Sequence, residues 1–169
     1  MKLVIIEDRL DRVARIAPDL EERIEKIIIY QTKHQFERLK ADYEAAEFFQ
    51  KVEQKEVWDI YETLYELYSA VDDAQQPQNI LLFDLCLEDD RVTFQEKLSV
   101  AFIRNVNDAA ATPPRCFIYT TFDRMQQDLN KYFNGQVIKT DLSRPKFLLY
   151  QRNPHFCQAL GLPAQVADE

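Results

Sequence analysis

Glycine is scarce in this chain, and clustered positive charge is missing. Only 2 glycines occur among 169 residues. Neither GxGxxG nor GxxxxGK[ST] is present, which excludes the glycine-rich loops that cradle nucleotide phosphates. The formal net charge is −8 and no long run of Lys and Arg occurs, so we expect no nucleic acid among the partners.

Metal-binding and redox spacings are also missing. The three cysteines, Cys86, Cys116 and Cys157, lie far apart, and the 2 histidines are isolated. This pattern argues against a zinc site and favours reduced, mostly buried thiols. The apolar run near residue 5 is too short for a signal peptide, and no segment approaches the ~18 apolar residues of a membrane span. We therefore expect a cytoplasmic protein that is not embedded in a membrane.

Five short apolar runs are the main secondary-structure signal. Each is apolar throughout rather than alternating, which is typical of strands buried on both faces of a parallel sheet. Segments with helical spacing separate them, so we predict an α/β fold with a doubly wound, five-stranded parallel sheet. The runs cover residues 2–7, 26–31, 79–85, 115–121 and 136–140, and helices are predicted within 9–25, 92–109, 123–133 and 143–153.

One connection is much longer than a crossover requires. Residues 33–76 contain apolar positions at helical spacing, which predicts a long helical insertion of two helices or one interrupted helix. The insertion is rich in aromatic residues, which dominate protein interfaces, so it is a candidate surface for a partner or a homodimer. We predict a single domain over 1–157 that includes this insertion, and a C-terminal tail over 158–169.

Polar residues end four of the predicted strands. Glu7 and Asp8 follow the first strand, Asp84 ends the third, Thr120 the fourth and Lys139 the fifth. The carboxyl ends of parallel strands share one edge, where ligands bind. Acids that lie close together repel unless a cation joins them, and Mg²⁺ prefers such oxygen ligands. Each acid taken alone could instead be a helix N-cap.

These strand ends resemble those of response-regulator receiver (CheY-like) domains. The segments that carry the resemblance are LVIIEDR, ILLFDLCLED, FIYTTF and VIKTD, within residues 2–32 and 79–150. The resemblance implies a flavodoxin-like sheet with strand order 2-1-3-4-5 and leaves the insertion outside it. It further implies that Asp84 accepts a phosphoryl group from a sensor histidine kinase or a phosphotransfer protein.

Site roles follow from the same resemblance. Glu7, Asp8 and Asp84 would hold Mg²⁺ together with the backbone carbonyl of Cys86. Thr120 would hydrogen-bond the phosphoryl group and Lys139 would pair with it. These roles agree with the chemistry of phosphoryl transfer, which needs charge neutralisation and in-line positioning. The expected function is a stand-alone signalling domain that acts on a downstream protein and has no other catalytic activity.

Departures from the family pattern keep two alternatives open. Glu88 replaces the usual proline after the acceptor, Thr140 replaces the proline after the lysine, and Gln136 replaces the usual aromatic residue of the fifth strand. One alternative is therefore a degenerate receiver that serves as an interaction or dimerisation platform without phosphorylation. The other is a metal-dependent, Toprim-like nuclease domain, which the acidic charge and Cys86 in place of a second aspartate disfavour.

Overall fold

The computed structural model describes residues 2–8, 13, 20, 22–42, 57–84, 87, 97–109, 115–120, 136–139 and 153–162. These residues form an α/β fold in which six parallel strands build one sheet. The strands are β1 (Lys2–Glu7), β2 (Ile24–Tyr30), β3 (Trp58–Tyr61), β4 (Asn79–Asp84), β5 (Cys116–Thr120) and β6 (Val137–Lys139). The described helices are α1 (Lys33–Ala41), α2 (Leu64–Ala74), α3 (Leu98–Ala109) and α4 (Pro154–Leu160).

The sheet has six strands in the order β3-β2-β1-β4-β5-β6. The predicted α/β class and parallel sheet are confirmed, but the predicted five strands and the order 2-1-3-4-5 are not those of the observed sheet. The difference arises at the β2 edge, where β3 adds a strand. After β3 the chain crosses back past β2 and β1 and adds β4, β5 and β6 on the other side of β1. This arrangement, with one set of strands on each side of the first strand, is typical of doubly wound folds.

β3 lies in the segment that was predicted to be helical, so the prediction of a wholly helical insertion over 33–76 is wrong. Its pairing with β2 matches Ile27 with Trp58 and Ile29 with Ile60. A salt bridge of 2.8 Å between Lys26 Nζ and Asp59 Oδ2 joins the same two strands. Pairing with β2 gives residues 58–61 their extended conformation. The spacing of apolar residues within the segment does not indicate this pairing.

Alternating side chains divide the core into two layers, one on each face of the sheet. On β1, Leu3 and Ile5 enter one cluster, whereas Val4 and Ile6 enter the other. Helices cover both layers, which explains why the strands are apolar at consecutive positions. The first layer receives Phe36 of α1 and Phe156, Cys157 and Leu160 of α4, and the second receives Leu67 and Val71 of α2 and Phe102 and Ile103 of α3.

Helix α4 shows how the C-terminal segment attaches to the sheet. Asn153 caps it by accepting from the backbone N–H of Phe156 at 2.9 Å, and its Nδ2 donates to the carbonyl oxygen of Val137 in β6 at 2.9 Å. Gly161 ends the helix at φ 69°, a left-handed conformation that suits glycine. The helix crosses the predicted boundary at residue 157, so the first residues of the predicted tail belong to a helix packed on the core.

Other sequence predictions fall outside the described residues. These are the helix predicted over 123–133 and all but Asn153 of the one over 143–153, together with the start of the helix predicted over 92–109 and most of the one within 9–25, whose last two residues belong to β2 instead. Within the described part of the chain, the helices are too short and too polar to cross a bilayer.

Candidate functional site

The carboxyl ends of β1 and β4 bring two acids side by side. The two strands are neighbours, and their register matches Ile6 with Phe83, so Glu7 and Asp84 occupy the next matched position. Side chains alternate along a strand, and Ile5 and Leu82 both enter the first core layer. Glu7 and Asp84 therefore lie on the same face of the sheet, directly beyond an apolar layer.

This place in the sheet is also its topological switch point. From β1 the chain proceeds to β2 and β3 on one side, and it then returns to β4, β5 and β6 on the other. Parallel α/β sheets bind ligands outside the carboxyl ends of the two strands at which the direction changes, because the connecting segments diverge there. In this chain the two strands are β1 and β4, which end in Glu7 and Asp84.

Three carboxylates meet at this point. One oxygen from each of Glu7, Asp8 and Asp84 lies within 4.8 Å of the others. Glu7 and Asp84 are fully buried, whereas Asp8 is partly exposed. The backbone N–H of Asp8 donates to Oε1 of Glu7 at 3.0 Å, which holds the glutamate against the end of its own strand. We call these three side chains the carboxylate cluster.

The electrostatics of the carboxylate cluster favour either a proton or a cation. Burial raises the pKa of Glu7 well above its ordinary value, and the charge of Asp84 and a hydrogen bond with Asp84 raise it further. Glu7 therefore holds a proton more readily than an exposed glutamate would. A divalent cation with oxygen preference would replace that proton and neutralise the excess negative charge.

The structure brings together three of the six residues that the sequence placed in the site: Glu7, Asp8 and Asp84. Thr120 and Lys139 end β5 and β6, so their backbones lie at the same edge of the sheet, but their side chains fall outside the described structure. Cys86 also lies outside the described residues. The predicted roles of these last three residues stay predictions.

The structure buries two polar residues that sequence reasoning missed, Gln31 and Lys97. Gln31 directly follows β2, and its Nε2 donates to the backbone carbonyl of Asp8 at 3.2 Å. Lys97 immediately precedes α3 and is only 2% exposed. The signal for Gln31 was available, since it follows the apolar residues of β2 as Asp84 follows those of β4. No sequence signal predicted the burial of Lys97, because a lysine before a helix is ordinarily in solvent.

Comparison with protein-family models, with characterised proteins and with solved structures gives no significant match to this chain. The sheet topology and the geometry of the carboxylate cluster are therefore the features that indicate a function.

Proposed function

We propose that this protein is a receiver-like signalling domain that accepts a phosphoryl group on Asp84 with Mg²⁺ and acts through protein–protein contacts. The observation that carries the proposal is the carboxylate cluster at the switch point, with oxygens of Glu7, Asp8 and Asp84 within 4.8 Å of one another. The resemblance of the strand ends to receiver domains supports the same assignment.

Mg²⁺ suits the carboxylate cluster for two reasons. Its ligands in proteins are carboxylate and carbonyl oxygens, and it retains several waters, so three side chains suffice to bind it weakly. Its charge also offsets the repulsion that raises the pKa of Glu7. Glu7, Asp8 and Asp84 would hold the cation, and the carbonyl of Cys86 is proposed as a further ligand.

In the proposed reaction, an Asp84 carboxylate oxygen attacks the phosphorus of a phosphohistidine. A P–O bond to Asp84 forms as the P–N bond to the imidazole breaks, and the departing nitrogen keeps the electron pair and takes up a proton. The bound cation would withdraw negative charge from the transferred group, which is the main requirement of this chemistry. Lys139 and Thr120 are proposed to contact the phosphoryl oxygens, and the donor is a histidine kinase or phosphotransfer protein in the cytoplasm.

A second candidate function is a degenerate receiver that works as an interaction platform without phosphorylation. The burial of Asp84, at 0% exposure, favours it, because an acceptor oxygen has to be reached by the donor. Helix α2 also exposes large hydrophobic side chains, with Tyr65 at 85% and Leu64 at 44%. Such residues are more common at interfaces than on solvated surfaces. A downstream protein or a second copy of the chain would bind this helix.

Labelling with a small phosphodonor distinguishes the two candidates. The purified protein is incubated with acetyl phosphate and Mg²⁺, and the modified residue is found by intact-mass and peptide analysis. The proposal predicts one Mg²⁺-dependent phosphoryl adduct on Asp84 that Asp84→Asn abolishes and the control Asp59→Asn retains. Full labelling of Asp84→Asn would exclude the assignment. No adduct on the wild-type protein, despite Mg²⁺-induced NMR shifts at residues 5–8 and 83–84, would favour the platform.

A further inference from the structure

Gln31 is fixed beside the carboxylate cluster by two hydrogen bonds. Its backbone N–H donates to the carbonyl oxygen of Tyr61, at the end of β3, at 3.0 Å. Its side-chain Nε2 donates to the carbonyl oxygen of Asp8 at 3.2 Å. The residue is 9% exposed, so the amide group is held in a mostly buried position next to Asp8.

The amide oxygen and the amide nitrogen of Gln31 differ in their hydrogen bonding. Among the residues that the structure describes, no hydrogen-bond donor reaches Oε1, although the atom is buried. Burying such an oxygen without a donor is unfavourable, so its burial calls for a physical reason. Covalent geometry places Oε1 roughly 2.2 Å from Nε2, and hence within roughly 5.5 Å of the Asp8 carbonyl oxygen.

Gln31 lies on the same face of the sheet as Glu7 and Asp84. Ile27 and Ile29 of β2 enter the first core layer, and Gln31 continues their alternation toward that face. Glu7 and Asp84 lie on this face as well. The amide oxygen of Gln31 is thus close to the backbone of Asp8, on the face of the sheet that carries Glu7 and Asp84, and it can accept a hydrogen bond from the water of a hydrated cation.

We propose that Gln31 is a fourth polar contact of the cation site, with Oε1 accepting a hydrogen bond from a water bound to the cation. This inference rests on the proposed cation binding by Glu7, Asp8 and Asp84. Its Nε2 meanwhile positions the Asp8 backbone, so one side chain both orients a cation ligand and contacts the cation's water. The extra strand β3 has a part in this arrangement, because its carbonyl at Tyr61 fixes the backbone of Gln31.

Mn²⁺ binding tests the proposal, with free Mn²⁺ measured by its electron paramagnetic resonance signal. Gln31→Met keeps the shape of the side chain and removes both amide atoms. Loss of a partner that hydrogen-bonds a metal's ligands or waters typically weakens metal affinity 10–100-fold, so we expect about a tenfold weaker Kd. The matched control is Gln78→Met, which changes an exposed glutamine at the opposite edge of the sheet.

Gln31→Glu separates the two roles of the amide. The variant keeps an accepting oxygen and loses the donor to Asp8, so we expect Mn²⁺ affinity equal to or tighter than that of the wild-type protein. A role confined to positioning Asp8 predicts that Gln31→Glu weakens binding as much as Gln31→Met, and that result would overturn the proposal. So would unchanged affinity in Gln31→Met.

Failure of the cation site itself gives a different result. If the wild-type protein binds no Mn²⁺ at millimolar concentration, the proposed function and the role of Gln31 both fail. If the wild-type protein binds Mn²⁺ and Gln31→Met binds it equally well, only the role of Gln31 fails. Should Gln31→Met not fold, the ¹³C shift of the Gln31 side-chain carbonyl in the wild-type protein is decisive. It should change on Mg²⁺ binding, and an unchanged shift would contradict the proposal.

Discussion

Asp84→Asn should stabilise the metal-free protein while it abolishes the response to Mg²⁺. In the wild-type protein, Glu7 and Asp84 are fully buried and share the carboxylate cluster with Asp8. Asparagine has nearly the same shape as aspartate, and its amide can donate a hydrogen bond to Glu7. The substitution therefore removes a negative charge without opening a cavity, and it leaves Glu7 with a partner when Glu7 is ionised.

The magnitude follows from the separation of the charges. Carboxylate oxygens of the cluster lie within 4.8 Å of one another, and two unit charges at that limiting distance repel by about 3.5 kcal/mol at an effective dielectric constant of about 20. The raised pKa of Glu7 means that proton binding already relieves part of this repulsion. We therefore expect the free energy of unfolding to rise by about 1–3 kcal/mol in chelator at neutral pH. In about 10 mM Mg²⁺ the wild-type protein should gain about 1.4 kcal/mol if Kd is about 1 mM.

Urea denaturation of both proteins, in chelator and in Mg²⁺, measures these differences. The control Asp59→Asn removes the partner of Lys26 in an exposed salt bridge and should lower stability by about 0–1 kcal/mol, with no change in the Mg²⁺ response. Lower stability of Asp84→Asn than of the wild-type protein in chelator would contradict this prediction. Equal stabilisation of the variant and the wild-type protein by Mg²⁺ would also contradict it.

Three further predictions concern pH and the helix ends. Between the ordinary carboxyl pKa of 4.5 and the raised pKa of Glu7, the native protein holds a proton that the unfolded chain has lost. In chelator, the free energy of unfolding should therefore fall as pH rises through this window, and Glu7→Gln should remove the fall. Urea denaturation at several pH values checks this. The same slope of stability against pH in Glu7→Gln as in the wild-type protein would contradict it. Asn153→Ala removes a buried helix cap and also a hydrogen-bond donor to β6. In urea denaturation it should lower stability by about 1 kcal/mol more than Thr63→Ala, which removes only an exposed cap. Equal losses would count against a role of Asn153 in holding β6. Gly161→Ala should cost about 1–2 kcal/mol through its left-handed backbone alone, since nothing lies within 4 Å of an added Cβ; Gly161→Asn should cost less, and the reverse order would exclude this explanation.

Local pattern was sufficient to predict most strands and the edge at which the acids lie. Strands buried on both faces need consecutive apolar residues, and the run from Ile80 to Phe83 shows this pattern directly. The acid that ends the run has its backbone in the sheet and its side chain at the carboxyl edge. Glu7 ends β1 in the same way, so the parallel arrangement predicts that both acids lie at the same edge of the sheet, and the pairing of β1 with β4 brings them side by side.

The α/β class, the parallel strands and the edge at which Glu7, Asp8 and Asp84 lie could all be predicted from the order of apolar and polar residues along each segment. That residues 58–61 form a strand depends on tertiary contacts, since the pairing with β2 that extends them involves residues about 30 positions earlier. Tertiary contacts likewise decide the burial of Lys97 and the place of Gln31. Whether a polar side chain lies in solvent or beside a cluster of acids depends on what packs over it, and residues distant in the sequence supply that covering.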